Sequence, residues 1–350
     1  MYITSVLDNK LKVASHEMPS MESVAIGLWV GIGGRHEKKQ NCGISHFLEH
    51  ILFKGTSRRS SIQISQAIES VGGSLNGFTS EEYTCYLAKV PHAHLRLAAD
   101  VLFDMFLRPA IREKDVQREK AVIVEEINLY RDTPQHHVLD LFSEAMWLGH
   151  PLGRPLVGTV STVGALSGDS LRNHQRQFYT LNNAVFAVAG RVNHAELLDV
   201  VDELLPKNIT PPRSPRCIPA PNARRKPYLL LRKKDTEQTH LCVGVRGYHR
   251  EHPDRYALQI LSIALGENMS SRLFQKIREK HGLAYSIHSS VARYKDSGIF
   301  SVYAGVDSKK FIKAISLIMR ELSSVLKNGL RKKELVRARE YWIGQLSMAL

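Results

Sequence analysis

The chain has 350 residues, 43% hydrophobic and 23% charged, a globular composition on more residues than one hydrophobic core usually holds, so two domains are expected. The four cysteines, Cys42, Cys85, Cys217 and Cys242, form no C-x-x-C pair, which argues against a thiolate zinc site and a disulfide framework and fits a reducing, cytoplasmic setting. A formal net charge of +14 raises the possibility of nucleic-acid binding.

That charge is unevenly placed. Arg213, Arg216, Arg224, Arg225 and Lys226 are set among six prolines between Pro211 and Pro227, with no interleaved aromatics for base stacking, so a solvated linker is the better reading. The N-terminus lacks a basic region followed by an apolar stretch, and no apolar run approaches a membrane span, so no membrane partner is expected.

In chain order, residues 2–7 and 11–15 alternate around Asp8-Asn9-Lys10, a hairpin signal in which Asn tolerates the left-handed conformation. Residues 24–31 read as a buried strand. The following Gly31-Ile32-Gly33-Gly34 lacks the third glycine of a dinucleotide loop. The spacing then predicts a helix over 43–52. His46, Glu49 and His50 share one face of it, while Phe47, Leu48, Ile51 and Leu52 turn toward a core.

A second helix from about Ser61 places Ile64, Ala67, Ile68 and Val71 together and is ended by Gly72-Gly73. Residues 83–90 are rich in strand formers. The polar, glycine-containing run before them, with Asn76, Gly77, Phe78 and Thr79, has the character of an exposed sheet edge. Helices are expected at 92–107 and 113–131. In the latter, Glu119, Val122, Ile123 and Glu126 recur at i, i+3, i+4 and i+7, so two carboxylates lie on an otherwise apolar face and Glu125 points away. Helices at 135–147 and 169–178, a strand at 183–189 and a helix at 194–205 complete a first domain, 1–205, followed by the linker at 206–227.

The second domain, 228–350, repeats the first in outline. A strand at 239–247, a helix at 254–265, strands through 286–306 and helices at 308–327 and 331–349 answer the first-half elements from residue 24 to residue 131. The H-x-x-E-H run is not repeated. The first half continues for about 70 further residues by this repeat logic, so the second domain is expected to be C-terminally truncated. The fold class is α+β: two homologous α/β domains, each a mainly antiparallel sheet packed with helices.

Two imidazoles and a carboxylate on one helix face suit zinc, and the order H-x-x-E-H is the inverse of H-E-x-x-H, with the histidines as ligands and the glutamate as general base. A catalytic zinc takes a third protein ligand. Glu126 is the choice, with Glu119 as a neighbouring carboxylate that holds geometry and charge. The plainer alternative for both is a pair of surface glutamates.

Together, His46-x-x-Glu49-His50, Glu119, Glu126, Gly72-Gly73-Ser74-Leu75-Asn76 and the later run from Ser271 to Tyr285 resemble the pitrilysin and processing-peptidase family of zinc metallopeptidases. The resemblance covers essentially the whole chain, and Arg278 and Tyr285, seven residues apart, match the family's Arg/Tyr element. It implies two similar domains per half-clam and two halves closing around a chamber that admits peptides or unfolded polypeptide.

A chain of this size is similar to the half-length members, which act as a homodimer or with a related partner subunit. The implied roles are zinc on His46, His50 and Glu126, Glu49 as base, and Arg278 and Tyr285 serving the partner's site by stabilising an oxyanion or gripping the backbone. Substrate is expected as an added strand along Asn76, Gly77, Phe78 and Thr79. A non-catalytic structural or substrate-binding subunit of the same family is the alternative, with nucleic-acid binding a distant third.

Overall fold

A computed structural model describes residues 2–206, 215–221 and 226–349. Most of the expected linker, including Arg213, Arg224 and Arg225, lies outside the described residues. The chain divides into two units, Met1–Leu129 with Arg154–Ile218, and Tyr130–Gly153 with Pro219–Leu350.

In chain order the elements are β1 (Tyr2–Val6), β2 (Lys12–Glu17), β3 (Ser23–Val30), α1 (Ile44–Leu52), α2 (Ser61–Glu69), β4 (Ser74–Thr79), β5 (Thr84–Pro91), α3 (Leu95–Leu107), α4 (Glu113–Asp132) and α5 (Pro134–Met146). They continue with α6 (Val160–Ala165), α7 (Gly168–Phe178), β6 (Ala184–Gly190), α8 (His194–Leu204), β7 (Gln238–Gly247) and α9 (Arg255–Ser262). The last are β8 (Ala284–Arg293), β9 (Gly298–Asp307), α10 (Phe311–Asn328) and α11 (Lys332–Ala349).

The first unit is a six-stranded sheet in the order β1-β2-β6-β3-β5-β4. Only the β2–β6 pairing is parallel. Period-2 alternation sends Val24, Ile26, Leu28 and Val30 of β3 into the core, where they join Phe47, Leu48, Ile51 and Leu52 of α1 and Phe103 and Phe106 of α3. The opposite face of β3 carries Ala25, Gly27 and Trp29. β4 lies at the edge of the sheet, as its polar composition suggests. At the first hairpin the left-handed residue is Lys10, at φ +71°, and not Asn9. Asn9 instead accepts the Leu11 amide on its side-chain oxygen, the local turn-closing bond for which Asn is suited.

The second unit has a three-stranded antiparallel sheet in the order β7-β9-β8, the same arrangement as β3-β5-β4. The internal repeat is therefore visible in topology as well as sequence. The expected helix at 254–265 is α9 continued by wider, π-type turns over Ile263–Glu267, and a similar wide helical segment spans Phe274–Lys280.

The division between the units differs from the expected domains 1–205 and 228–350 in two respects: it falls between Ile218 and Pro219, inside the expected linker, and it assigns Tyr130–Gly153 to the second unit. Helix α5 belongs with the second unit, where the Phe142 ring lies against Gly244 of β7 and the Arg246 guanidinium stacks 4.3 Å from the Trp147 ring. An apolar helix face announces that it will be covered, but not by which sheet. Among the described residues no helix is long and apolar enough to cross a membrane.

Because α1 enters the core through Phe47, which is fully buried, Phe47→Ala is expected to lower unfolding free energy by about 3–5 kcal/mol, measured by denaturant titration. A loss below about 1 kcal/mol would mean that α1 is held by something other than this packing.

Candidate metal centre

Helix α1 begins where only glycine fits. Gly43 has φ +94°, and a Cβ there would stand 2.8 Å from the Val157 carbonyl. The first amides of the helix are satisfied by Glu37, whose carboxylate accepts from Gly43 N at 2.7 Å and Ser45 N at 2.8 Å. Those amides carry the positive end of the helix dipole. Complete burial nevertheless pushes the Glu37 carboxyl up to about 7, the two amide bonds opposing it. Sequence reasoning missed Glu37, because its partners lie six and eight residues away in a loop that no capping pattern describes.

On the buried face of α1, His46 and His50 hold their rings 4.6 Å apart. Each Nε2 stands 3.6 Å from the same atom, Oε2 of Glu126 on α4. Glu119, two turns earlier, lies on the same helix face. One of its oxygens accepts from His50 Nδ1 at 2.9 Å and the other pairs with Lys54 Nζ at 2.7 Å. Burial would raise the Glu119 pKa, but the bonds from His50 and Lys54 outweigh it and hold the carboxylate below its usual range. An ionised carboxylate can only accept, so His50 Nδ1 carries a proton, and in the neutral imidazole that leaves Nε2 as the lone-pair nitrogen facing Glu126. Glu125 is exposed, as expected. Val122 is exposed too, so the apolar face of α4 is narrower than its spacing suggests.

Electrostatics around the cluster are those of a site shaped for a cation. Burial, and then His50, push the His46 pKa down to about 3, leaving a neutral imidazole of the kind a metal takes. Burial works against charge on His50 as well, yet the bond from Glu119 and the charges of Glu49, Glu126 and Glu119 raise its pKa overall. The Glu49 carboxyl is raised by burial, with Thr79 and His50 opposing and Glu126 adding to the shift.

The donor set fits zinc. Protein ligands about 2.0–2.2 Å from a tetrahedral zinc lie roughly 3.4 Å apart, close to the 3.6 Å separations here. One atom from each of His46, His50 and Glu126 lies within 4.8 Å of the others. In one respect the surroundings are incomplete: His46 Nδ1 is buried without a hydrogen-bond partner among the described residues.

The edge strand β4 reaches this centre through one of its faces. Thr79 Oγ1 donates to Glu49 Oε2 at 2.8 Å, and a Cβ on Gly77 would stand 3.2 Å from Glu49 Cγ and 3.1 Å from the Phe53 ring. Asn76 and Phe78 occupy the other face. Asn76 sits within the strand, and its side-chain oxygen accepts from Gly77 N at 2.8 Å. Phe78 packs edge-on to Trp29 and Tyr83.

Arg278 and Tyr285 belong to the second unit and are not members of this cluster. They neighbour one another, with the guanidinium 5.5 Å from the Tyr285 ring and 4.7 Å from Phe274. Tyr285 is 75% exposed. It stands where the β8 register shifts between Ala284 and Ser286, a bulge of the kind that re-aims a side chain.

The family model for insulinase (peptidase family M16) matches residues 12–160, and that for the peptidase M16 inactive domain matches residues 165–341. The uncharacterized zinc protease YmxG of Bacillus subtilis is 40% identical over 342 residues, which are 98% of this chain and 83% of that protein. An uncharacterized zinc protease of Mycobacterium leprae is 40% identical over 336 residues, 94% of this chain and 75% of its own.

Among solved structures, a protease from Helicobacter pylori superposes with a TM-score of 0.93 at 21% identity, covering 99% of this chain and 85% of that one. A peptidase M16 inactive domain from Pseudomonas fluorescens gives 0.88 at 17% identity, covering 98% and 84%. These two show likeness of fold. The duplicated α+β fold and the H-x-x-E-H helix are those of the M16, or pitrilysin, peptidase family, and this chain belongs to it in half-length, two-domain form.

The Glu37 cap has a pH signature. Its folded pKa of about 7 stands above the ordinary glutamate value of 4.5, so the stability it contributes is fully present below about pH 4.5 and is lost as pH rises through about 7. Glu37→Gln removes that titration. Between pH 4.5 and 8 the stability difference should move in the variant's favour by on the order of 3 kcal/mol, measured by denaturant titration at each pH. Parallel profiles for the two proteins would contradict the assignment.

Proposed function

We propose that the protein is a zinc-dependent endopeptidase that cleaves peptides or unfolded polypeptide segments. The observation that carries this reading is the meeting of His46, His50 and Glu126 with Glu49 buried among them. These three side chains would hold zinc. When bound, the ion supplies a Lewis acid that lowers the pKa of a water and polarises the scissile carbonyl.

The chain's own residues supply the rest. Glu49, its proton affinity raised by burial, takes the proton of the attacking water and returns it to the leaving amine. Thr79 holds one Glu49 oxygen, so the other is the one aimed at the water. The free edge of β4 offers main-chain hydrogen bonds to a peptide lying as an added strand, which is recognition indifferent to sequence. Gly77 lets that strand pass close over Glu49. Arg278 and Tyr285, side by side and accessible on the second unit, provide a guanidinium and a phenol suited to a developing oxyanion in the site of a second copy or a related partner subunit.

The relatives' names as zinc proteases support this reading. A non-catalytic subunit is less well supported, because the ligand set and the base are present together. The inactive-domain family model covers only the half without the motif, although a solved structure of that description superposes on 98% of the chain.

Glu49→Gln is expected to keep zinc at the wild-type ratio while cleavage of a quenched fluorescent peptide falls by at least about 100-fold. His46→Ala is expected to lose the metal itself, read by elemental analysis. Equal cleavage by wild type and Glu49→Gln would remove Glu49 as the base.

A further inference from the structure

On the face of the first sheet opposite its core lies a cavity of 560 Å³. Its floor is one row of paired residues running across the strands: Ala14 on β2, Ala187 on β6, Gly27 on β3 and Leu87 on β5. Three of the four are small, so the row is a trough. The Trp29 indole folds over it, and a Cβ on Gly27 would meet Trp29 Nε1 at 2.5 Å. His16 and Lys89 stand in the neighbouring row and also line the cavity.

The charged character of the lining is one-sided. Lys89 makes no ion pair among the described residues, and Trp29 Nε1 and the His16 ring find no hydrogen-bond partner there. No Asp or Glu lines the cavity. A groove with apolar walls, donors left open and no acidic group complements a carboxylate.

The trough also meets the proposed substrate path. Ser74 and Asn76, on its rim, are outward-facing positions of the edge strand β4, whose other face reaches Glu49 through Thr79. A peptide added along β4 alternates its side chains between these two faces. Thr79 and Ser74 lie at opposite ends of a six-residue strand, about 17 Å apart at 3.3–3.4 Å per residue.

We infer that this cavity is a substrate subsite for a carboxylate carried by the peptide about four to six residues from the scissile bond. The inference rests on the peptidase reading and adds a substrate class to it: extended peptides with an acidic group distant from the cleaved bond. Lys89 and Trp29 are its specificity-determining residues. Neither belongs to the catalytic machinery.

The test uses neutral quenched peptides in which a single Asp is walked away from the scissile bond, each with an Asn control, and one peptide made as both C-terminal acid and amide. Binding is read by anisotropy on Glu49→Gln, and kcat/KM on wild type. Asp at one position in the expected window should improve affinity about tenfold over Asn, with the gain shrinking as salt rises. Lys89→Glu should reverse the preference, and Trp29→Phe should reduce it.

Both substitutions are at or near the surface, and unchanged thermal midpoints confirm the fold. A gain from Asp places a side chain in the cavity, whereas a gain confined to the acid-amide pair places a chain end there. A series flat within about twofold, or a preference untouched by Lys89→Glu, overturns the subsite. An inactive wild type whose Glu49→Gln form still shows the preference overturns the peptidase reading instead.

Discussion

Negative charge gathered at the contact of α1 and α4 is the constraint on which the rest of this structure turns. Glu49, Glu119 and Glu126 surround two imidazoles in a half-buried space, and Lys54 neutralises only one of the three. Buried carboxylates are costly without a cation or hydrogen-bond donors to answer them. The raised proton affinity of His50 is that demand expressed by the side chains alone, and a divalent ion on the proposed ligands His46, His50 and Glu126 would meet it more fully. Lys54, four residues beyond His50, holds the far oxygen of Glu119. That contact leaves Glu119 as an acceptor for His50 and Glu126 as the carboxylate facing both histidines.

The surrounding fold serves to hold α1 still. Glu37 secures its first amides, Phe47 and Leu48 lock its inner face into the sheet, and Gly43 allows its tight start. Beyond α1, Thr56 donates to the buried Asp104 of α3 at 2.6 Å, and Arg59 pairs with the same carboxylate at 2.9 Å. Two helices separated by 60 residues of chain can then present ligands to one point without help from loops, which suits a site that must hold geometry within a fraction of an ångström. The same three-strand arrangement recurs in the second unit, where the edge strand β8 carries Tyr285 as β4 carries Thr79. The duplication kept the scaffold and changed what its edges display.

Much of this was visible in the sequence, because helical periodicity converts spacing into shared faces. His46, Glu49 and His50 fall together by spacing alone. Glu119 and Glu126 separate from Glu125 by the same rule, and the repeat of α/β units follows from the order of patterns. What stayed hidden depends on contacts between distant residues. Glu37 caps a helix from outside any local motif. Lys54 reads as a turn residue until Glu119 is placed beside it. Helix α5 declares an apolar face without saying which sheet it covers. The trough under Trp29 needs the pairing of β2, β6, β3 and β5, which no single strand encodes. Tyr285 has the composition of a core aromatic, and only the bulge in β8 shows why it is exposed.

The most direct measurement is the zinc content of purified protein carrying Glu126→Ala, set beside wild type and Glu125→Ala on the adjacent, outward-facing position. One zinc per chain is expected in wild type and in Glu125→Ala, with little or none in Glu126→Ala. Zinc retained at the wild-type ratio in a folded Glu126→Ala protein would contradict the convergence of the two helices on a single ion.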